Sequence, residues 1–218
     1  MSCYKLNYFD ARGIAEISRM LFAVANVEYT DNRFPTQGTE FKEAKELGEF
    51  DVSLKKLPYL EVDGVKVCQS KSIERFLAFR FGLMGITDIE HFKVDSLCEC
   101  IRDFKDMYQK VRKLPDDEKD AGMKSWFTET LPERLNLLEK LVAQKHTFFD
   151  DNDIVYSVGN GLTLADIVIY IFLVEFFDDK EGVTQSYKEC SNLKAIVKTV
   201  GNIPQIKRWV KERPVTAF

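Results

Sequence analysis

The sequence has no Cys-x-x-Cys pair, only two histidines, little excess charge of either sign and no apolar run that could cross a bilayer. Each absence removes a class of function. The five cysteines (Cys3, Cys68, Cys98, Cys100 and Cys190) are odd in number, and Cys98-Glu-Cys100 is the only close pair. That argues against a disulfide framework and against a thioredoxin-type redox centre; they read as free thiols in a reducing compartment. His91 and His146 lack the HxxxH or HExxH spacing that aims two imidazoles at one ion, so no metal is expected. Asp150-Asp-Asn-Asp153 has neither the glycine nor the distal glutamate of a calcium loop and reads as solvated.

The longest apolar run, Ile167 to Val174, falls far short of the roughly 20 residues a membrane helix needs. Lys5, Asp10 and Arg12 interrupt the N-terminus before any apolar segment, so it is not read as a signal peptide, and a cytoplasmic location is expected. The formal charge is −4, with 12 basic and 12 acidic side chains in residues 1–82 and 19 against 23 in the remainder. Phosphate binding needs a concentrated basic face, so nucleic acid is not an expected partner.

What is present is an ordinary globular composition, 45% hydrophobic and 30% charged over 218 residues, enough for one unit or two compact halves. Tyr4-Lys-Leu-Asn-Tyr8-Phe9 alternates like a strand, and the turn at Arg12-Gly13 leads into a helical pattern of Ile14, Ile17, Leu21, Val24 and Ala25. Glu16 and Arg19 fall on the opposite, polar side of that helix. A second strand is expected over Val27 to Phe34 and a short helix around Phe41 to Leu47. Tyr59–Val62 and Val65–Cys68 flank Asp63-Gly64, the signature of a two-residue hairpin. Ser70 then stands where an N-cap belongs, ahead of Ile73, Phe76, Leu77 and Phe81 at helical spacing. The order is βαβαββα.

Strand signals end near residue 88. Helical patterns follow from Ile89 to Tyr108, Trp126 to Leu141, Leu164 to Phe177, Leu193 to Val200 and Ile203 to Val210. Two glycines make the 82–88 segment turn-like, so we expect an α/β domain over 1–82, a linker over 83–88 and an all-helical domain over 89–218. Thr163-Leu-Ala-Asp166 resembles a capping box opening the most apolar helix, a folding device.

Taken together, Tyr4 to Phe9 with Arg12-Gly13, then Leu57-Pro58 through Asp63-Gly64, then Gln69-Ser70 with Ile73 to Leu77 resemble the N-terminal domain of cytosolic glutathione transferases. Leu162 to Asp166 and Ile203 to Pro214 extend the resemblance over essentially the whole chain, nearest to the sigma class that includes glutathione-dependent prostaglandin D synthase. The resemblance implies a thioredoxin-like domain with a mixed four-stranded sheet that holds glutathione, a helical domain that covers an apolar second substrate, and a homodimer.

Residue by residue, the resemblance makes Tyr8 the hydroxyl that hydrogen-bonds the glutathione thiolate; periodicity alone would make it a core aromatic beside Tyr4 and Leu6. It makes Pro58 cis, turning the Leu57 main chain toward the cysteinyl amide of glutathione, and gives Gln69 and Ser70 the γ-glutamyl carboxylate. Lys45 and Lys56 match basic positions near the glycyl carboxylate, and Phe41 a position usually held by tryptophan. Asp103 matches a carboxylate that reaches across the dimer to the γ-glutamyl ammonium. Phe9, Ile14, Met107 and Tyr108 suit a pocket for a hydrophobic electrophile.

The chain departs from the prostaglandin synthases at Ile14, where they carry arginine, and at Lys110, where they carry tryptophan. Arg102 and Glu99 break their acidic metal cluster. Conjugation of glutathione to electrophiles is the expected activity. Glutathione-dependent isomerisation or peroxidase activity, and ligand carriage without catalysis, are the alternatives.

Overall fold

The computed structural model describes residues 2–143 and 155–216, so the Asp150–Asp153 loop and His146 lie outside the described residues. The chain divides into two units, residues 1–81 with 203–218, and residues 82–202. The first is thioredoxin-like and the second helical.

In the first unit, β1 (Tyr4–Phe9) leads through a 3₁₀ turn at Gly13–Ala15 into α1 (Glu16–Ala25), then β2 (Thr30–Phe34) and α2 (Glu40–Glu46). β3 (Tyr59–Val62), β4 (Val65–Cys68) and α3 (Ser70–Arg80) follow. The sheet order is β2-β1-β3-β4, with β1 parallel to β2 and antiparallel to β3, and β3 antiparallel to β4. The parallel pair requires a crossover, and α1 supplies it. Ile17, Met20, Leu21 and Phe22 of α1 are almost fully buried, as are Leu6 of β1 and Leu60 of β3. Each such side chain contributes about 1.5–3 kcal/mol relative to exposure. Asn26 ends α1 in the left-handed region, φ 51°, with its N–H on the carbonyls of Phe22 and Ala23. The hairpin turn has φ 50° at Asp63 and 84° at Gly64, as its sequence requires.

Two expectations about this unit are corrected. Glu16 and Arg19 are not on a solvated face; they are 2% and 0% exposed. Burial is possible because the two charges pair with each other and with groups from the neighbouring turn, β2 and the C-terminus. Ser70 is the first helical residue of α3, and Gln69 takes the N-cap position at φ 72°, ψ 108°.

The helical unit runs from α4 (Asp88–Arg112) through α5 (Asp116–Ser125), α6 (Leu131–Ala143), α7 (Leu164–Tyr170), α8 (Lys180–Ser186) and α9 (Ser191–Asn202). A capping box starts α4, with Glu90 N–H on Thr87 Oγ1 at 3.2 Å and Thr87 N–H on the Glu90 carboxylate at 3.1 Å. The expected helices over 126–141 and 164–177 each contain a π-helical turn, at Trp126–Thr130 and Ile171–Glu175. Both turns feed one aromatic core. Tyr108 packs 4.9 Å from Phe177 and 5.3 Å from Trp126, and Phe172 lies 5.0 Å from Phe177, between ring centroids.

The domain boundaries differ from those read in the sequence. Residues 83–88 are not a free linker: Leu83 and Met84 are buried, and Leu83 accepts the Leu164 N–H at 2.7 Å within the helical unit. The last helix, α10 (Pro204–Glu212), belongs to the first unit. It is held there because Trp209 Nε1 and Arg213 Nη1 each donate to the buried Glu16 carboxylate at 2.8 Å.

Candidate glutathione site

Strand register brings the key residues of the first unit to one end of its sheet. Asn7 pairs with Tyr59, and Tyr59 pairs with Cys68. One residue further along each strand are Tyr8, Pro58 and Gln69, neighbours across three strands spaced about 4.8 Å apart. Segments distant in sequence therefore meet at one edge.

Tyr8, the last residue but one of β1, is 8% exposed, with its ring 5.5 Å from that of Phe9. The backbone N–H of Ile14 donates to its hydroxyl oxygen at 3.4 Å. That oxygen keeps its own proton free to donate outward. Burial raises the Tyr8 pKa, and the Ile14 N–H and the Arg19 guanidinium only partly oppose this. The phenol is thus a neutral donor over the physiological range, the form that stabilises an anion beside it.

Gly13 makes this contact possible. Its φ is +43°, and a β-carbon built there would stand 2.5 Å from Tyr8 Oη and 2.9 Å from Cε1. We therefore expect Gly13→Ala to push the Tyr8 ring from its place, lowering at least about tenfold the kcat of the glutathione conjugation that the resemblance implies, while the protein stays folded. Steady-state kinetics alongside circular dichroism checks this; an unchanged kcat would show that the hydroxyl need not lie where it does.

The segment before β3 is shaped by a tight turn. Leu54 and Lys55 are consecutive residues with φ 55° and 58°. Ser53 Oγ lies 2.9 Å from the Phe50 carbonyl and 2.6 Å from that of Lys56, tying the turn together. Two left-handed non-glycine residues in succession are costly, and such strain concentrates at functional segments. The Leu57–Pro58 bond is cis. Leu57 is half-buried against the cluster of Ala44, Phe50 and Tyr59, which Phe41 also joins. Phe41 stacks on Phe50 at 5.2 Å and meets Phe9 edge-on at 4.9 Å, so an unbroken run of rings leads from Tyr8 to α2. Lys45 and Lys56 are exposed.

At the third position, Gln69 is exposed and Ser70 half-buried at the start of α3. The Gln69 side chain makes no cap hydrogen bond to this helix. Its first N–H groups and the positive end of its dipole are therefore offered to an anion.

In the first unit Ile14 is 50% exposed and Phe9 half-buried. In the helical unit Met107 is half-buried and Asp103 exposed on α4, whereas Tyr108 is 3% exposed with its ring inside the aromatic core. Tyr108 presents no ring to solvent. Among the described residues no group of three or more His, Cys, Asp or Glu side chains could hold a metal ion.

Sequence reasoning missed two contributors. The buried Arg19 and the Ser53 hydroxyl both hold main-chain carbonyls next to the site. Nothing in their periodicity marked them, because Arg19 sits at a polar helix position and Ser53 in a polar loop.

Comparison with known proteins supports the same assignment. Residues 4–78 match the model of the glutathione S-transferase N-terminal domain, and residues 102–213 that of the C-terminal domain. The chain is 35% identical to probable glutathione S-transferase 5 of Caenorhabditis elegans, over the full length of both. It is 33% identical to hematopoietic prostaglandin D synthase of Gallus gallus, again over the full length of both. Among solved structures, monomeric Na-GST-3, a glutathione S-transferase of Necator americanus, superposes with a TM-score of 0.83 at 29% identity, covering 99% of each chain. On these matches over both parts of the chain, it belongs to the glutathione S-transferase family.

Proposed function

We propose that the chain conjugates glutathione to hydrophobic electrophiles, with the Tyr8 hydroxyl donating a hydrogen bond to the glutathione sulfur and stabilising it as thiolate. The observation that carries this reading is the convergence of Tyr8, Pro58 and Gln69 at one sheet end, with Tyr8 held as a neutral donor by burial and by the Ile14 N–H. A free thiol with a pKa near 8.5 is only about 3% ionised at pH 7, and lowering that pKa by about two units makes it about three-quarters ionised.

The remaining roles are those that the family resemblance implies. The Leu57 main chain pairs with the cysteinyl amide as an added strand would. Gln69, Ser70 and the N-terminal N–H groups of α3 receive the γ-glutamyl carboxylate. Lys56 and Lys45 are assigned to the glycyl carboxylate, and Phe41 joins the ring cluster against which Leu57 packs. Phe9 and Ile14 border the sulfur and give the electrophile an apolar seat; Met107 is assigned to that seat by the family resemblance.

We place the protein in the sigma-like branch, acting in detoxification in the cytoplasm, where its five free cysteines would persist as thiols. Ile14, half exposed beside the Tyr8 hydroxyl, supplies no charge to orient an anionic lipid peroxide. We therefore favour general conjugation over prostaglandin isomerisation. The test is conjugation of an aryl halide by the wild type and by Tyr8→Phe. Turnover lost in the variant supports the reading; glutathione binding without turnover in either would make the chain a carrier.

We further propose a homodimer in which Asp103 of one copy approaches the glutathione of the other. Val65, Val67, Phe76 and Phe79 leave the β4–α3 side of the first unit exposed and apolar, and Ile89 and Phe92 do the same on α4. Patches of this kind mark interaction surfaces. Light scattering is expected to give twice the 25.2 kDa of the chain, and Phe79→Glu to restore that mass. A wild type that scatters as one chain would contradict the dimer.

A further inference from the structure

Arg19 has no exposed surface, yet it is a charged residue in the helix that follows Tyr8. Its guanidinium acts as a clamp on the turn between β1 and α1. Nη1 donates to the carbonyl of Ala11 at 2.6 Å and reaches that of Arg12 at 3.3 Å, and Nη2 reaches that of Phe9 at 3.5 Å. The same turn ends at Gly13-Ile14, whose N–H meets the Tyr8 hydroxyl. The cation itself stands 5.8 Å from the centroid of the Tyr8 ring. A cation at that range acts on the π-system and makes the phenolic proton a better donor.

The guanidinium is itself held from two sides. Asp31 of β2 pairs with its Nε at 3.1 Å and also holds Arg33, which reaches Asp10. Glu16 lies 3.5 Å from Nη1, and Glu16 in turn carries Trp209 and Arg213 of the C-terminal segment, each at 2.8 Å. The Tyr29 hydroxyl feels the same Asp31, Arg19, Arg33 and Glu16 charges. Opposite charges alternate along this network, and Arg19 is the member that acts on Tyr8. The network's influence comes through placement and through that cation.

We propose that Arg19 is a positioning residue for the Tyr8 hydroxyl, and that the C-terminal segment is part of the thiol-activating apparatus because Trp209 and Arg213 hold the Glu16 that holds Arg19. The inference rests on the reading of Tyr8 as donor to the glutathione sulfur. Lysine at position 19 keeps the charge but cannot span three carbonyls and two carboxylates, since it lacks the planar fork of five N–H groups. Arg213→Met, at the partly exposed far end of the network, leaves Arg19 in place and removes only its remote support.

The experiment is titration of glutathione bound to the folded variants, following the ultraviolet absorbance of the thiolate, with glutathione affinity measured in parallel. In Arg19→Lys the midpoint is expected to rise by about one unit, which cuts the ionised fraction about threefold at pH 7. Arg213→Met is expected to move it in the same direction by less, and it decides the matter if Arg19→Lys does not fold. Wild-type midpoints in the folded variants would overturn the proposal, because a merely structural role changes the amount of folded protein and not the ionisation of its ligand. Tyr8→Phe titrated beside them separates the two levels. If it shifts and the arginine variants do not, only the network role falls; if it does not shift, the Tyr8 reading falls as well.

Discussion

Tyr8→Phe is expected to lose about 25-fold or more of its kcat/KM for aryl halide conjugation at pH 7, while glutathione affinity stays within a few-fold of wild type. The magnitude follows from ionisation. Without the donor the bound thiol reverts toward a pKa near 8.5 and the thiolate fraction falls from about three-quarters to about 3%. The two-unit shift corresponds to about 2.7 kcal/mol, in the range found when one donor to a developing anion is removed. Affinity survives because the hydroxyl is one contact among many; the main chain at Leu57 and the start of α3 carry the tripeptide in this account.

The shape of the pH profile distinguishes this role from a general base. Tyr8 has its pKa raised above 10 by burial, so the phenol remains protonated throughout the working range. Wild-type kcat/KM should rise with pH as the thiol ionises and then level off, with no fall from Tyr8 ionisation below pH 10. In Tyr8→Phe the same rise should occur about two units higher, and the two enzymes should converge at alkaline pH. A variant depressed equally at every pH would point to a role in orientation alone.

The second large effect is on stability. Asp166→Ala is expected to cost about 3–5 kcal/mol, the scale for leaving several buried hydrogen-bond donors without their shared acceptor. Asp166 has no exposed surface, and its carboxylate accepts the Ser157 N–H through Oδ1 and both the N–H and the hydroxyl of Thr163 through Oδ2. Alanine would leave those donors buried at the start of α7 without acceptors, each at about 1–3 kcal/mol before relaxation. Because α7 runs directly into the aromatic core through Ile171–Glu175, the loss reaches the centre of the helical unit. Calorimetry should show a melting temperature lower by about 8–15 °C. A shift of only a degree or two would mean that water or a rearranged loop satisfies the freed groups.

The sequence was legible where local chemistry is sufficient. Asp63-Gly64 announced its hairpin because only positive φ closes a two-residue turn, and Thr163 to Asp166 announced a helix start because the spacing is that of reciprocal caps. The order of strands and helices followed from periodicity. Tyr8 itself was not legible on pattern, being one alternating aromatic among several, and only its place relative to Leu57-Pro58 and Gln69-Ser70 singled it out. The sheet register supplies the physical reason: those three segments are adjacent in space.

The failures share a cause. Glu16 and Arg19 occupy polar helix positions, and only tertiary pairing with Asp31 and Arg213 buries them. The same pairing draws α10 back to the first unit, against a boundary drawn where strand signals end and two glycines make a turn. The π-helical turns at Trp126 and Ile171 lie in an aromatic core whose side chains come from several helices, which no single window contains. By contrast, the cap at Thr87 to Glu90 and the acidic first turn of α5 were readable signals that a search for apolar periodicity passes over.

The central claim is that the Tyr8 hydroxyl lowers the pKa of bound glutathione, and ultraviolet titration of the thiolate in the binary complexes of wild type and Tyr8→Phe measures it without reliance on turnover. The account predicts a wild-type midpoint about two units below that of Tyr8→Phe, with the variant near the value of free glutathione. Equal midpoints in two proteins that both bind glutathione would contradict it.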